Sequence, residues 1–152
     1  MIAGETGYAK QIEDGALVLL RIVAALLFFQ HGVQKWFDWP PGGHAPADWP
    51  LFSIFGMAAM LEFGGGLLLM FGLFARPVAF ILSGEMAFAY WSIHVPDGAD
   101  QPAGWMPVAN GGDLAILFCF VFLYLFAAGP GALSLDARRG HRGGKKVDRQ
   151  PG

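Results

Sequence analysis

Charge is scarce in this chain, and cysteine is scarcer. Of 152 residues only 14% are Asp, Glu, Lys or Arg and 55% are hydrophobic, whereas soluble domains carry roughly 25% charged residues. That imbalance excludes an ordinary water-exposed surface over most of the chain and puts the protein in the membrane class. The lone cysteine, Cys119, excludes an internal disulfide, a C-x-x-C redox pair, a thiolate zinc site and an iron–sulfur cluster held by this chain alone. It reads as a small apolar packing residue. The N-terminus, MIAGETGYAKQIEDGA, lacks the basic region of a signal peptide. The first apolar run then passes into QHGVQKW where a small-residue cleavage site would stand, so the run is expected to be a retained span. Nucleic-acid binding has no support outside the basic C-terminal tail, which reads as a topology signal and solvated end.

In place of charge the chain has long apolar runs. A span needs about 20 mostly apolar residues to cross ~30 Å of hydrocarbon, and segments 16–37, 51–74, 77–95 and 113–129 qualify or come close. Four segments cannot close a barrel, and an open sheet would leave backbone groups unpaired in lipid. The expected fold is therefore all-α, an integral membrane four-helix bundle. Two proline-rich loops, DWPPGGHAPADWP and PDGADQPAGWMPVANGGD, separate spans one and two and spans three and four; only a few residues around Arg76 and Pro77 join spans two and three, as in an antiparallel hairpin. Arg76, Lys10 and the tail residues Arg138, Arg139, Arg142, Lys145, Lys146 and Arg149 share one side, and only Lys35 lies on the other. The excess of positive charge places both termini in the cytoplasm, for a bacterial-type inner membrane. On this reading 1–15 is a cytoplasmic N-terminal segment, 16–136 the membrane domain, and 137–152 a basic, disordered tail.

The informative residues are the ionisable ones inside the apolar runs, because each costs ~2.5–3.5 kcal/mol near the bilayer centre unless it has a partner. At 100° per residue, Phe28, Gly32 and Lys35 fall within about 40° of Arg21, and His31 within about 80°. Gln30 lies opposite. In span two, Glu62 shares a stripe with Ala58, Gly65, Gly66 and Leu69, small residues against which another helix packs closely. In span three, Glu85 lines up with Ala89 and Ser92. Glu62 and Glu85 count to mid-span, Arg21 nearer the cytoplasmic side, and His31, Lys35 and His94 nearer the outer side. These stripes predict an inter-helix polar pocket. The alternative is that Arg21 pairs with Glu62 or Glu85 merely to fix helix register.

Taken in order, R-x9-HG-x2-K in span one, G-x5-E-x2-GG followed by Gly72 in span two, His94 before the second loop, NGGD entering span four and GPGALSLD leaving it resemble the DoxX/DoxD-like family of small membrane proteins. The resemblance runs from Arg21 to Asp136. It implies a four-helix membrane bundle and a link to quinone-dependent oxidation of thiosulfate or thiols, since the name-giving members are subunits of a thiosulfate:quinone oxidoreductase. Arg21, His31, Lys35, Glu62, His94, Asn110 and Asp136 match positions of the family pattern. Glu85 comes from the stripe argument instead. Asp113 stands where the pattern has Glu, and is expected to act as an acidic cap at a helix N-terminus.

The leading functional expectation is a quinone-binding or quinone-reducing membrane subunit, with His31 and Glu62 as the candidate catalytic pair and Arg21, His31, Lys35, Glu62, Glu85 and His94 as the candidate cofactor-binding set. No redox centre is visible in the chain, so electrons would come from a thiol substrate or a partner oxidoreductase subunit. Two other readings stay open. One is a haem subunit with His31 and His94 as axial ligands; the other is a non-enzymatic small-molecule binder, transporter or assembly protein. A metal site from Glu62, Glu85 and His31 has suitable ligand types but no spacing signature, and no metal is expected. The fourth span, with no charge in its core, is expected to act as scaffold or as a homo-oligomer face.

Overall fold

The computed structural model describes residues 2–41 and 50–144, with side chains placed over 7–41 and 50–139. Among them there is no β-strand. Helix α1, Ile2–Phe37, is one unbroken 36-residue element. The helix thus runs without a break through the segment set apart at 1–15, from residue 2 onward, and residues 7–16 are exposed. No proline occurs before Pro40 to stop it.

The second apolar run folds as α2, Ile54–Met60, a π-helical turn, Leu61–Gly65, and α3, Gly66–Phe71. The Ser53 hydroxyl caps its start, accepting a hydrogen bond from Gly56 N at 3.1 Å. Gly72 ends it in the left-handed region at φ 64°, the usual glycine stop. The third run is α4, Ala75–Ala89, a second π turn, Tyr90–His94, and α5, Val95–Asp97. Pro77 falls in the first turn of α4, where its missing N–H costs nothing. Ile54–Phe71 and Ala75–Asp97 are each long and apolar enough to cross a membrane. After the short α6, Pro107–Asn110, comes α7, Asp113–Ala128. At 16 residues α7 spans ~24 Å. Gly112, not Asp113, is its cap residue; Asp113 instead opens the first turn, where a negative charge still meets the positive end of the helix.

α1 packs along α3 and the first π turn, while α4 packs most extensively on α7. The two pairs are joined through Phe28, whose ring lies 5.5 Å from Phe118 and 4.8 Å, edge-on, from Phe122. Ala25, Leu69, Ala79 and Leu82 are fully buried around this junction. The outward faces carry Leu19, Phe71, Phe80, Trp91, Leu117 and Phe120, all exposed. So continuous an apolar surface suits lipid and no aqueous monomer.

Helix α8, Leu135–Gly144, occupies the first half of the tail expected to be disordered from 137. The cause lies at its root: the Asp136 carboxylate accepts hydrogen bonds from Phe74 N at 3.0 Å and Ala75 N at 2.8 Å, and its own N–H donates to Gly72 O. With Asp136 anchored, the next turns have a fixed start from which to propagate. Residues 145–152 and the 42–49 part of the first loop lie outside the described residues.

Candidate functional site

Two opposed features put the first carboxylate in place. Gly32 of α1 lies against the backbone of Phe63, so close that a Cβ there would fall 2.5 Å from Phe63 N. One turn further along the span, Gly66 meets Phe29 of α1 in the same way. These glycines bring α1 onto the π turn at backbone distance. Glu62, carried on that turn, is buried, and Lys35 of α1 donates to its Oε1 at 2.6 Å. The extra residue in a π turn rotates the following side chains relative to an α-helix, and such turns recur at functional sites.

Glu62 Oε2 and both oxygens of Glu85 are buried and have no hydrogen-bond partner among the described residues. Glu85 sits on α4, which packs on the other face of the π turn through Leu82 and Gly65. It lies within electrostatic range of Glu62 and Lys35, and His31 lies within range of Glu62. Two carboxylates thus share one lysine, leaving three buried acceptor oxygens with nothing to accept from. Carboxylates in this condition either carry protons or receive donors from a bound molecule.

The other expected members are elsewhere. Arg21 is only 1% exposed, but it pairs with neither glutamate. Its Nη1 donates to Pro130 O and its Nη2 to Leu133 O at 2.6 Å, so the middle of α1 is fastened to the connection between α7 and α8. The register pairing of Arg21 with Glu62 or Glu85 does not occur; the guanidinium fork has found two backbone carbonyls instead. His94 Nδ1 lies 3.3 Å from Asn110 O, Asn110 Nδ2 donates to Gly104 O at 2.9 Å, and Gly112 N donates to Asn110 Oδ1 at 2.8 Å. With the Tyr90 hydroxyl donating to Trp105 O, these bonds tie down the second long loop. Asn110 therefore staples that loop, while Asp136 caps the start of α4. No hydrogen bond joins His31 to His94, and no group of three or more His, Cys, Asp or Glu converges on a common point among the described residues.

An aromatic cluster that no spacing in the sequence marks stands beside the site. The ring of Phe63 lies 4.8 Å from Phe29, 6.1 Å from Phe37 and 6.5 Å, stacked, from Trp36. Phe63 follows Glu62, and Trp36 follows Lys35, so the ion pair is bordered by flat apolar faces. The signal was present in the adjacent letters Glu62-Phe63 and Lys35-Trp36, but it meant nothing until α1 and the π turn were brought together.

A family model described as DoxX matches residues 16–95, the stretch that holds Lys35, Glu62 and Glu85. The chain belongs to the DoxX family. DoxX proteins are small membrane proteins, in agreement with the apolar helices described above. Two Haemophilus influenzae relatives, both described as uncharacterized proteins, are similar along most of their length. The first is 42% identical over 123 residues, covering 79% of this chain and 87% of the relative; the second is 32% identical over 132 residues, covering 80% and 81%. No solved structure gives a significant match.

The close approach at Gly32 gives this DoxX chain a sharp steric requirement. Gly32→Val is expected to force α1 away from Phe63, lowering stability by at least ~1–3 kcal/mol as an overpacked contact. Gly15→Val, with open space around its Cβ position, is the control. Thermal unfolding of both variants in the same detergent checks this: a large drop for Gly32 and a small one for Gly15.

Proposed function

We propose that this DoxX protein is the membrane subunit of a quinone-linked oxidoreductase acting on thiosulfate or thiols, and that its quinone site is formed by Lys35, Glu62, Glu85 and His31. In this reading all four helical segments cross the inner membrane as a bundle with both termini in the cytoplasm. The observation that carries the proposal is the set of three unpartnered carboxylate oxygens beside a lysine, buried between apolar helices. The redox assignment rests on the family resemblance.

A quinone supplies two carbonyl oxygens that take hydrogen bonds, and its reduction consumes two electrons and two protons. The protein's own groups fit the hydrogen bonds and the protons, and the two electrons come from the thiosulfate or thiol through the partner subunit. The Lys35 ammonium keeps donor hydrogens beyond the one given to Glu62, and to His31, within electrostatic range of Glu62, this reading assigns the supply of protons. Glu62 and Glu85 hold protons or accept hydrogen bonds on the oxygens left unpaired. Phe63 and Trp36 present flat apolar faces to a planar ring.

The test uses the full chain in lipid nanodiscs with a short-chain quinone, read by quenching of tryptophan fluorescence. Wild type is expected to quench saturably. Glu85→Gln, which preserves shape and removes the carboxylate, is expected to weaken binding about tenfold, the usual loss for one buried partner. Added thiosulfate or thiol should then drive quinone reduction, followed by its ultraviolet absorbance, when the electron-donating partner is present. Non-saturable quenching, or equal binding by the variant, would remove the quinone reading.

A further inference from the structure

About 21 Å along α1 from the Lys35 site, at 1.5 Å per residue, a second feature has no part in the function proposed above. Arg21, Ile22, Met70, Phe71, Leu133 and Arg138 line a cleft of about 230 Å³ between α1, α3 and the start of α8. One end is cationic. Arg138 is exposed, and its guanidinium makes no hydrogen bond or ion pair among the described residues. The buried Arg21 stands behind it with Nε unpartnered. The Asp136 carboxylate lies within electrostatic range of Arg21, but both its oxygens are bonded to the N–H groups of Phe74 and Ala75. Arg139 adds a further charge 5.3 Å over the Phe74 ring. Apart from the buried Ser134 the other walls are apolar, and Phe71, 56% exposed, and Leu133, 70% exposed, face outward.

We propose that this cleft binds the anionic headgroup of a phospholipid from the surrounding leaflet. The phosphate lies against Arg138, with the fixed charge of Arg21 beneath it, and the first part of an acyl chain runs along Ile22, Met70 and Phe71. Size supports a headgroup over a whole amphiphile, since sites for drug-sized ligands begin at ~300 Å³. Helical spacing supports the aim of Arg138: it follows Leu135 by three residues, so both fall on one face of α8, and both line the cleft. Arg139, one residue on, turns to Phe74. The anchored root of α8 therefore places one arginine over the cleft and the next outside it.

Native mass spectrometry of the full chain, released from detergent containing equal phosphatidylglycerol and phosphatidylcholine, tests the proposal. Wild type is expected to retain phosphatidylglycerol about fivefold over phosphatidylcholine, the preference one well-placed arginine gives. Arg138→Gln, at an exposed position that leaves the fold intact, should erase the preference, whereas Arg149→Gln in the tail should keep it. Retention that is equal for the two lipids, unchanged by Arg138→Gln, or lost equally with Arg149→Gln would overturn the site. Displacement of the bound lipid by inorganic phosphate alone would overturn the lipid as occupant.

Discussion

Lys35→Ala is expected to cost the folded protein about 3 kcal/mol, the lower part of the range for breaking a buried ion pair. The lower part applies because the Lys35 side chain keeps 30% of its exposure while that of Glu62 keeps 6%. The loss arises from stranding the Glu62 carboxylate between α1, the first π turn and α4, not from the missing attraction itself. A double variant separates the two causes. Lys35→Met with Glu62→Gln removes both charges at nearly constant volume, and such replacements are often neutral or stabilising. The double variant is therefore expected to unfold at or above the wild-type temperature. Quinone binding in that variant should be lost all the same. A pair kept for stability alone would give the opposite result, with the double variant unstable and its binding retained. Thermal unfolding and fluorescence titration of the three proteins decide between these outcomes.

Arg21→Ala is expected to be as damaging, by a different route. Arg21 donates to the carbonyls of Pro130 and Leu133, and charge-assisted bonds contribute ~1.5–3 kcal/mol each. Truncation removes both donors and opens a void beneath Gly72, whose Cβ position lies 2.8 Å from Arg21 Nη1 and 2.5 Å from Ser134 Cβ. The expected outcome is a fall in stability of about 3–5 kcal/mol. Arg21→Lys should rescue it only in part, since an ammonium lacks the planar fork that serves two carbonyls. Whatever folded protein remains should bind quinone with unchanged affinity, because Arg21 stands apart from Glu62 and Glu85. A selective loss of binding with stability intact would return Arg21 to the ligand site.

These two residues show what could be read from the letters alone. That Lys35 shares a stripe with Gly32 and turns toward the glutamates was legible, because an ionisable group in an apolar setting needs a partner; which glutamate it meets was not. The inward face of Glu62 with Gly65, Gly66 and Leu69 was legible for the same reason, and all four are buried. Gln30, expected on the opposite face, is exposed. Arg21 shares the inward stripe, but its partners were hidden: backbone carbonyls exist at every residue, so nothing in the sequence marks those of Pro130 and Leu133 as acceptors. Of the two π turns only the first left a trace in the sequence, the glycine cluster Gly64-Gly65-Gly66; the second was hidden, since a fixed step of 100° has no room for one extra residue. Asp136 matched the family pattern without its purpose being visible; only the fold brings it to the bare N-terminus of α4.

That last contact joins distant parts of the chain in time as well as in space. Phe74 and Ala75 leave the ribosome some sixty residues ahead of Asp136, so α4 must begin its life with its first N–H groups uncapped. Arg21 waits longer still for Pro130 and Leu133. The helices can enter the membrane one after another, but the end of the molecule that carries Arg21 and Arg76 closes only when the final turn arrives. Chains cut short before that turn would lack the same two fastenings at once. The segment 130–136 thus ties together the two ends of the helical framework, and it does so only after every helix it fastens has been made.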